Sequence, residues 1–229
     1  MKKLVVPFLS LIALLSLAGC SQTGGNNGTD DDNQNANQDD NQDKGDANQG
    51  NNDDVGDGSS NDGLNSNAIV VYYSATNHTE AVAQTIAKHI NSAIYELEPV
   101  NPYTSDDLNY GNSSSRVVQE HNQIVNGEDV QVDLVTTDFD GFDEADYIFL
   151  GAPVWWQELS WVIEDFVSEN DFTGKTIIPF GTSSASQFTL GNIEPLAEEA
   201  TWMEPQRFRS SVSSSDVITW VDSLNLSFN

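Results

Sequence analysis

The chain has 229 residues, with eight Lys or Arg against 36 Asp or Glu and a net charge of −28 at neutral pH. So acidic a surface excludes nucleic acid as a partner, because that needs a basic face. A single cysteine excludes an internal disulfide and a cysteine-built metal site.

Residues 1–19 have the pattern of an export signal. Lys2 and Lys3 precede an apolar run over residues 4–17, interrupted by Ser10 and Ser16. The run suits a signal-peptide core and is short for a membrane span. It ends in Leu17-Ala18-Gly19-Cys20, which resembles a bacterial lipobox. The resemblance implies that Cys20 is acylated and becomes the new N-terminus. The protein is then expected on the extracytoplasmic face of the cell membrane, held there by its lipid. An ordinary cleaved signal followed by a chance cysteine is the alternative.

Residues 20–66 follow as an acidic tether rich in Asn, Asp and Gln. Residues 21–66 hold eleven Asp, one Lys and no aromatic residue, and Val55 and Leu64 are their only larger aliphatics. Such a composition cannot bury enough apolar surface to offset its ordering entropy, so disorder is expected. Like charges should extend it.

Residues 67–229 have the size of one domain. Residues 68–73 (Ala-Ile-Val-Val-Tyr-Tyr) form a continuous apolar run, as a buried parallel strand requires. After a polar turn, Val82, Ile86 and Ile90 recur every four residues with Ala83 and Ala87 beside them, which predicts a helix. A second strand is expected over 93–97. Residues 99–137 break the alternation and are expected to be an insertion with a helix at 114–124. Further strands are predicted at 146–151, 176–180 and around 207–208. Helices are predicted at 159–167, 193–200 and 217–224. Strands alternating with helices imply a doubly wound parallel α/β sheet with helices on both faces.

Ligands of open parallel sheets bind beyond the carboxyl ends of the strands. Three loops there are informative. Ser74-Ala75-Thr76-Asn77-His78-Thr79 offers hydroxyls and backbone N–H groups at a helix start, which suits a phosphate. A simple helix cap is the plainer reading. Gly151-Ala152-Pro153-Val154-Trp155-Trp156 carries two aromatic faces able to stack on a flat ring, or to pack beneath the next helix. Gly181-Thr182-Ser183-Ser184-Ala185-Ser186-Gln187 is small and polar, suited either to a ring's polar edge or to solvent. The acidic turn with Asp138, Asp140, Asp143 and Asp146 could hold a hard cation, but a solvated turn is the plainer reading, and no metal site is expected.

Taken in order, these segments resemble the flavodoxin family. Ser74, Thr76 and Thr79 match its phosphate motif, with Asn77 where glycine is usual. The match is closest to a bacterial subfamily with five marks. Here they read Tyr72 to Thr76, Pro102 to Tyr110, Ser115-Arg116, Gly151 to Trp156 and Asp171 to Thr176. The resemblance implies a five-stranded parallel sheet in a three-layer α/β/α domain that binds FMN. It assigns the phosphate to Ser74, Thr76, Asn77, His78 and Thr79. It assigns the ring to Pro153, Val154, Trp155, Trp156, Thr182, Ser183, Ser184 and Ser186. The third loop departs from the family in having Ser184-Ala185-Ser186-Gln187 where glycines are expected, and no aromatic before Phe188. Three functions follow: an electron carrier serving a redox partner protein or small carrier, an NAD(P)H-dependent flavin or quinone reductase, or a flavin-less partner-binding domain. An acidic domain is expected to lower the potential of bound FMN relative to free FMN.

Overall fold

The first strand, β1 (Ala68–Tyr72), is buried along its whole length. The computed structural model describes residues 63–65, 67–184 and 187–229. The expected signal peptide, Cys20, most of the tether and Ser186 lie outside these. β1 is flanked by β2 (Ala93–Glu96) and β3 (Tyr147–Trp155), both parallel to it. β3 continues into a short antiparallel strand, β4 (Glu158–Leu159), and pairs in parallel with β5 (Thr176–Thr182). Beyond β5 run two short parallel strands, β6 (Thr201–Trp202) and β7 (Gln206–Phe208). The path is therefore β2-β1-β3-β5, followed by a fifth position shared between β6 and β7. Pro205 sits in the break between those two strands, where a residue without an N–H interrupts a ladder naturally.

The helices are α1 (His78–Ile90), α2 (Arg116–Val125), α3 (Glu164–Glu169) and α4 (Ser214–Ser223). Alternate residues of β1 face opposite layers. Ala68, Val70 and Tyr72 pack with Val82, Ile86 and Ile90 of α1 and Val217 and Val221 of α4. Ile69, Val71 and Tyr73 join the other core, with Val117 of α2 and Phe166 of α3. Both faces are covered, which is why β1 and β3 read as unbroken apolar runs. The three-layer α/β arrangement agrees with the expectation from sequence.

Several boundaries differ from that expectation. β3 does not stop at Gly151 but runs on to Trp155, so residues 151–155 are strand and not loop. Its pairing with β1 ends at Gly151, so Pro153 has no second ladder to serve, and a proline is tolerated there. The helix expected at 159–167 divides into β4, a 3-10 turn at Trp161–Ile163 and α3. The helix expected at 193–200 shrinks to a 3-10 turn at Glu194–Ala197, which contains Pro195. The insertion does carry a helix, α2, starting two residues later than expected.

The two ends of the domain meet. The Asn67 N–H donates to the Asn229 carbonyl at 3.4 Å, and the Asn229 N–H donates to the Asn67 side chain at 2.8 Å. This junction lies at the amino ends of the strands.

Candidate functional site

A cavity of about 320 Å³ opens at the carboxyl ends of β1, β3 and β5. Its walls come from Ala75, Thr76 and His78 after β1, Pro153, Val154 and Trp155 at the end of β3, and Thr182, Ser183 and Ser184 at the end of β5. Leu108 and Tyr110 of the insertion close one side, and Ser210 after β7 closes another. The structure thus brings together residues of all three loops singled out in the sequence.

The first loop is shaped as an anion seat. Asn77 has φ 61°, in the left-handed region that favours glycine and that Asn enters more readily than most residues. This turn aims the start of α1 at the cavity. The Ser74 hydroxyl accepts from the Glu80 N–H at 3.2 Å. Among the described residues, no hydrogen bond engages the backbone N–H groups of Thr76, Asn77, His78 and Thr79. Free donors at the positive end of a helix dipole attract a phosphate even without a basic side chain. Thr79 contributes only its backbone. Its side chain is buried, and its hydroxyl lies 2.7 Å from that of Thr182. That contact ties the first loop to the end of β5.

The two tryptophans have different places. Trp155 lines the cavity but is 3% exposed, held edge-on by Trp161 at 4.8 Å, Tyr103 at 5.2 Å and Tyr73 at 6.1 Å. It is a wall of the cavity and part of the core at once. Trp156 is not among the residues that line the cavity. With Gln157 it forms a two-residue hairpin turn between β3 and β4, both residues at positive φ. The Trp156 ring stacks on His121 at 4.0 Å with 8° between the planes and lies 5.1 Å from the ring of Tyr110. The aromatic face that does border the cavity from outside is Tyr110, which is half exposed. Burial pushes its hydroxyl up to about 12, so it remains a neutral donor.

The third loop is anchored at its base. The Ser183 N–H donates to the Phe208 carbonyl at 2.9 Å, and its carbonyl accepts from Arg207 at 3.1 Å. Ser186, assigned to the ring, lies outside the described residues. Leu108, Tyr110 and Ser210 were not among the assigned site residues. An aromatic at the tip of a long insertion was a usable signal for Tyr110, whereas Ser210 had none.

Arg116 is the basic residue of the insertion. It is committed to Glu120 at 2.6 Å and to the Asn101 carbonyl at 2.6 Å, and it stands over the Tyr103 ring at 3.9 Å. Among the described residues, no cluster of His, Cys, Asp or Glu has the arrangement of a metal site.

Comparison with known proteins gives a consistent picture. No curated protein sequence matches the chain. Among solved structures, one from Bacteroides uniformis, described as a candidate flavoprotein, is 28% identical with a TM-score of 0.60; the match covers 68% of this chain and 97% of that one. Another described in the same way, from Bacteroides eggerthii, is 26% identical at a TM-score of 0.60, covering 70% and 98%. A flavoprotein of Lactobacillus acidophilus in complex with FMN shares the fold at 18% identity and a TM-score of 0.50, covering 67% and 97%. The family model described as flavodoxin matches residues 67–224, and with that match the chain belongs to the flavodoxin family.

Proposed function

We propose that this protein binds FMN in the cavity at the carboxyl end of its sheet and serves as an electron carrier, anchored by lipid at Cys20 outside the cytoplasm. The observation that carries the reading is a coincidence of two chemistries. Unengaged N–H groups at the start of α1 border a cavity with an apolar and aromatic side from Leu108, Tyr110, Pro153, Val154 and Trp155 and a polar edge from Thr182, Ser183 and Ser184. One suits a phosphate and the other a flat ring, and FMN carries both. The residues present therefore fit the group. Thr76 to Thr79 would hold the phosphate by backbone N–H, with the Thr76 hydroxyl beside it. Pro153, Val154, Trp155 and Tyr110 would hold the ring. Ser183 and Ser184 would meet its polar edge.

When bound, the flavin supplies one- and two-electron redox chemistry, and the protein supplies binding, orientation and field. Trp155 and Leu108 would exclude water from the ring. The acidic surroundings disfavour negative charge on it. The carrier reading is preferred over a nicotinamide-dependent reductase because Arg116 is already spent within the insertion, leaving no basic side chain of that segment for a dinucleotide phosphate.

An absorption spectrum of the protein after incubation with FMN and removal of excess tests the cofactor. The expected result is a flavin spectrum at about one FMN per chain, with little NAD(P)H oxidation in steady state. A colourless protein refutes FMN binding, and rapid NAD(P)H turnover selects the reductase. For the anchor, Cys20→Ser is expected to move the protein from the membrane to the soluble fraction. Unchanged fractionation would exclude the lipid.

A further inference from the structure

Glu120 is the one carboxylate that is buried among the described residues, at 9% exposure. Burying a carboxylate is costly unless it is fully paired, and this one is. Its Oε2 accepts from the Tyr103 hydroxyl at 2.5 Å and from the Trp161 indole N–H at 2.9 Å. Its Oε1 accepts from the Arg116 Nε at 2.6 Å. The three donors come from the start of the insertion, from α2 and from the turn after β4. Charge-assisted bonds of this kind are short and about twice as strong as neutral ones.

The chain between Tyr103 and Arg116 is consequently a loop held at both ends by one side chain. Lesser ties close it onto α2: the Ser115 hydroxyl donates to the Asn109 carbonyl at 2.8 Å, and the Val117 N–H donates to the Asp107 carbonyl at 3.0 Å. The tip of this loop carries Leu108 and Tyr110, which wall the cavity. The same carboxylate fixes Tyr103 and Trp161, two of the rings that hold Trp155 edge-on.

We propose that Glu120 is a positioning residue, a buried latch that holds residues 104–115 closed so that Tyr110 covers the cofactor cavity. The ligand part of this statement rests on the FMN reading; the latch itself does not. Gln at this position keeps the shape but turns one acceptor into a donor and leaves Arg116 without its counter-charge. Whichever way the amide turns, one of the two ends loses its acceptor, and the loop is then held by Glu120 at one end only.

Two measurements on the full chain test this. Hydrogen exchange of Glu120→Gln without flavin is expected to quicken at residues 104–117 by tenfold or more, with β1, β3 and β5 unchanged. Unchanged exchange in that segment overturns the latch. Equal acceleration in the sheet also overturns it, since Glu120 would then be a general stability residue. The second measurement is a cycle of FMN dissociation constants for Glu120→Gln, Tyr110→Ala and the double variant. Each single change is expected to weaken FMN about tenfold, and the double variant is expected to be no weaker than about twofold beyond Tyr110→Ala alone. Such non-additivity marks residues that act through one another. Losses that multiply overturn the link from Glu120 to Tyr110. If the unaltered protein binds no FMN, the cofactor reading fails, and the exchange result alone decides the latch.

Discussion

Glu164, in the first turn of α3, is held in conflict with its surroundings. Burial, and then the carboxylates of Asp129 and Glu158, push its carboxyl up from the model-compound value of 4.5 to about 7. The folded protein therefore binds this proton more tightly than the unfolded chain. Stability from the protonated form is complete below about 4.5 and is lost as pH rises toward 7. Glu164→Gln is expected to remove that slope and to raise unfolding free energy above pH 7 by about 1–2 kcal/mol. Urea unfolding at pH 5 and pH 8 checks this, and an unchanged slope between the two would refute it. The conflict was invisible in the sequence, where Glu164 is one acid among 36 acidic residues. Asn77 was legible, because few residues enter the left-handed region and the motif demands one there. The surroundings of Trp156 were not, since only the two-residue turn between β3 and β4 sets its ring against His121 and Tyr110.

At the scale of elements, the turn that leads into β3 depends on a lysine from the start of β5. Lys175 is 8% exposed, and its ammonium donates to the carbonyls of Phe142, Asp143 and Ala145 at 2.8, 2.9 and 2.9 Å. It also lies 4.9 Å from the Phe142 ring. Three carbonyls saturate its three donors. Lys175→Met keeps the apolar stem but leaves those oxygens unpaired, which should cost about 2–4 kcal/mol. A loss below about 0.5 kcal/mol in urea unfolding would contradict this account. Elements of long period, such as β1, α1 and α4, were readable because burial on one or both sides leaves a repeating apolar pattern. The stretch from Glu158 to Glu169 was not. Its apolar residues fit a helix in spacing, yet pairing with β3 captures Leu159, and only six residues remain for α3.

For the whole molecule, the charge of −28 is the dominant electrostatic fact. With FMN bound, the potential is expected below that of free FMN, and the gap should narrow as salt screens the surface charges. Redox titration at two ionic strengths measures both, and a potential above free FMN would sink the argument. The order of the layers and the end of the sheet that holds the cavity followed from the alternating pattern alone. The roof of the cavity did not, because it comes from the insertion, whose placement is set by one buried carboxylate rather than by any periodicity.

The pairing of Asn67 with Asn229 gives the domain a hilt and a point. Asn67 and Asn229 meet at the pole opposite the cavity. Under the anchoring proposed above, an attachment at that pole spares the whole rim for visitors, and cleavage just ahead of Asn67 is expected to release the domain with its cofactor seat untouched.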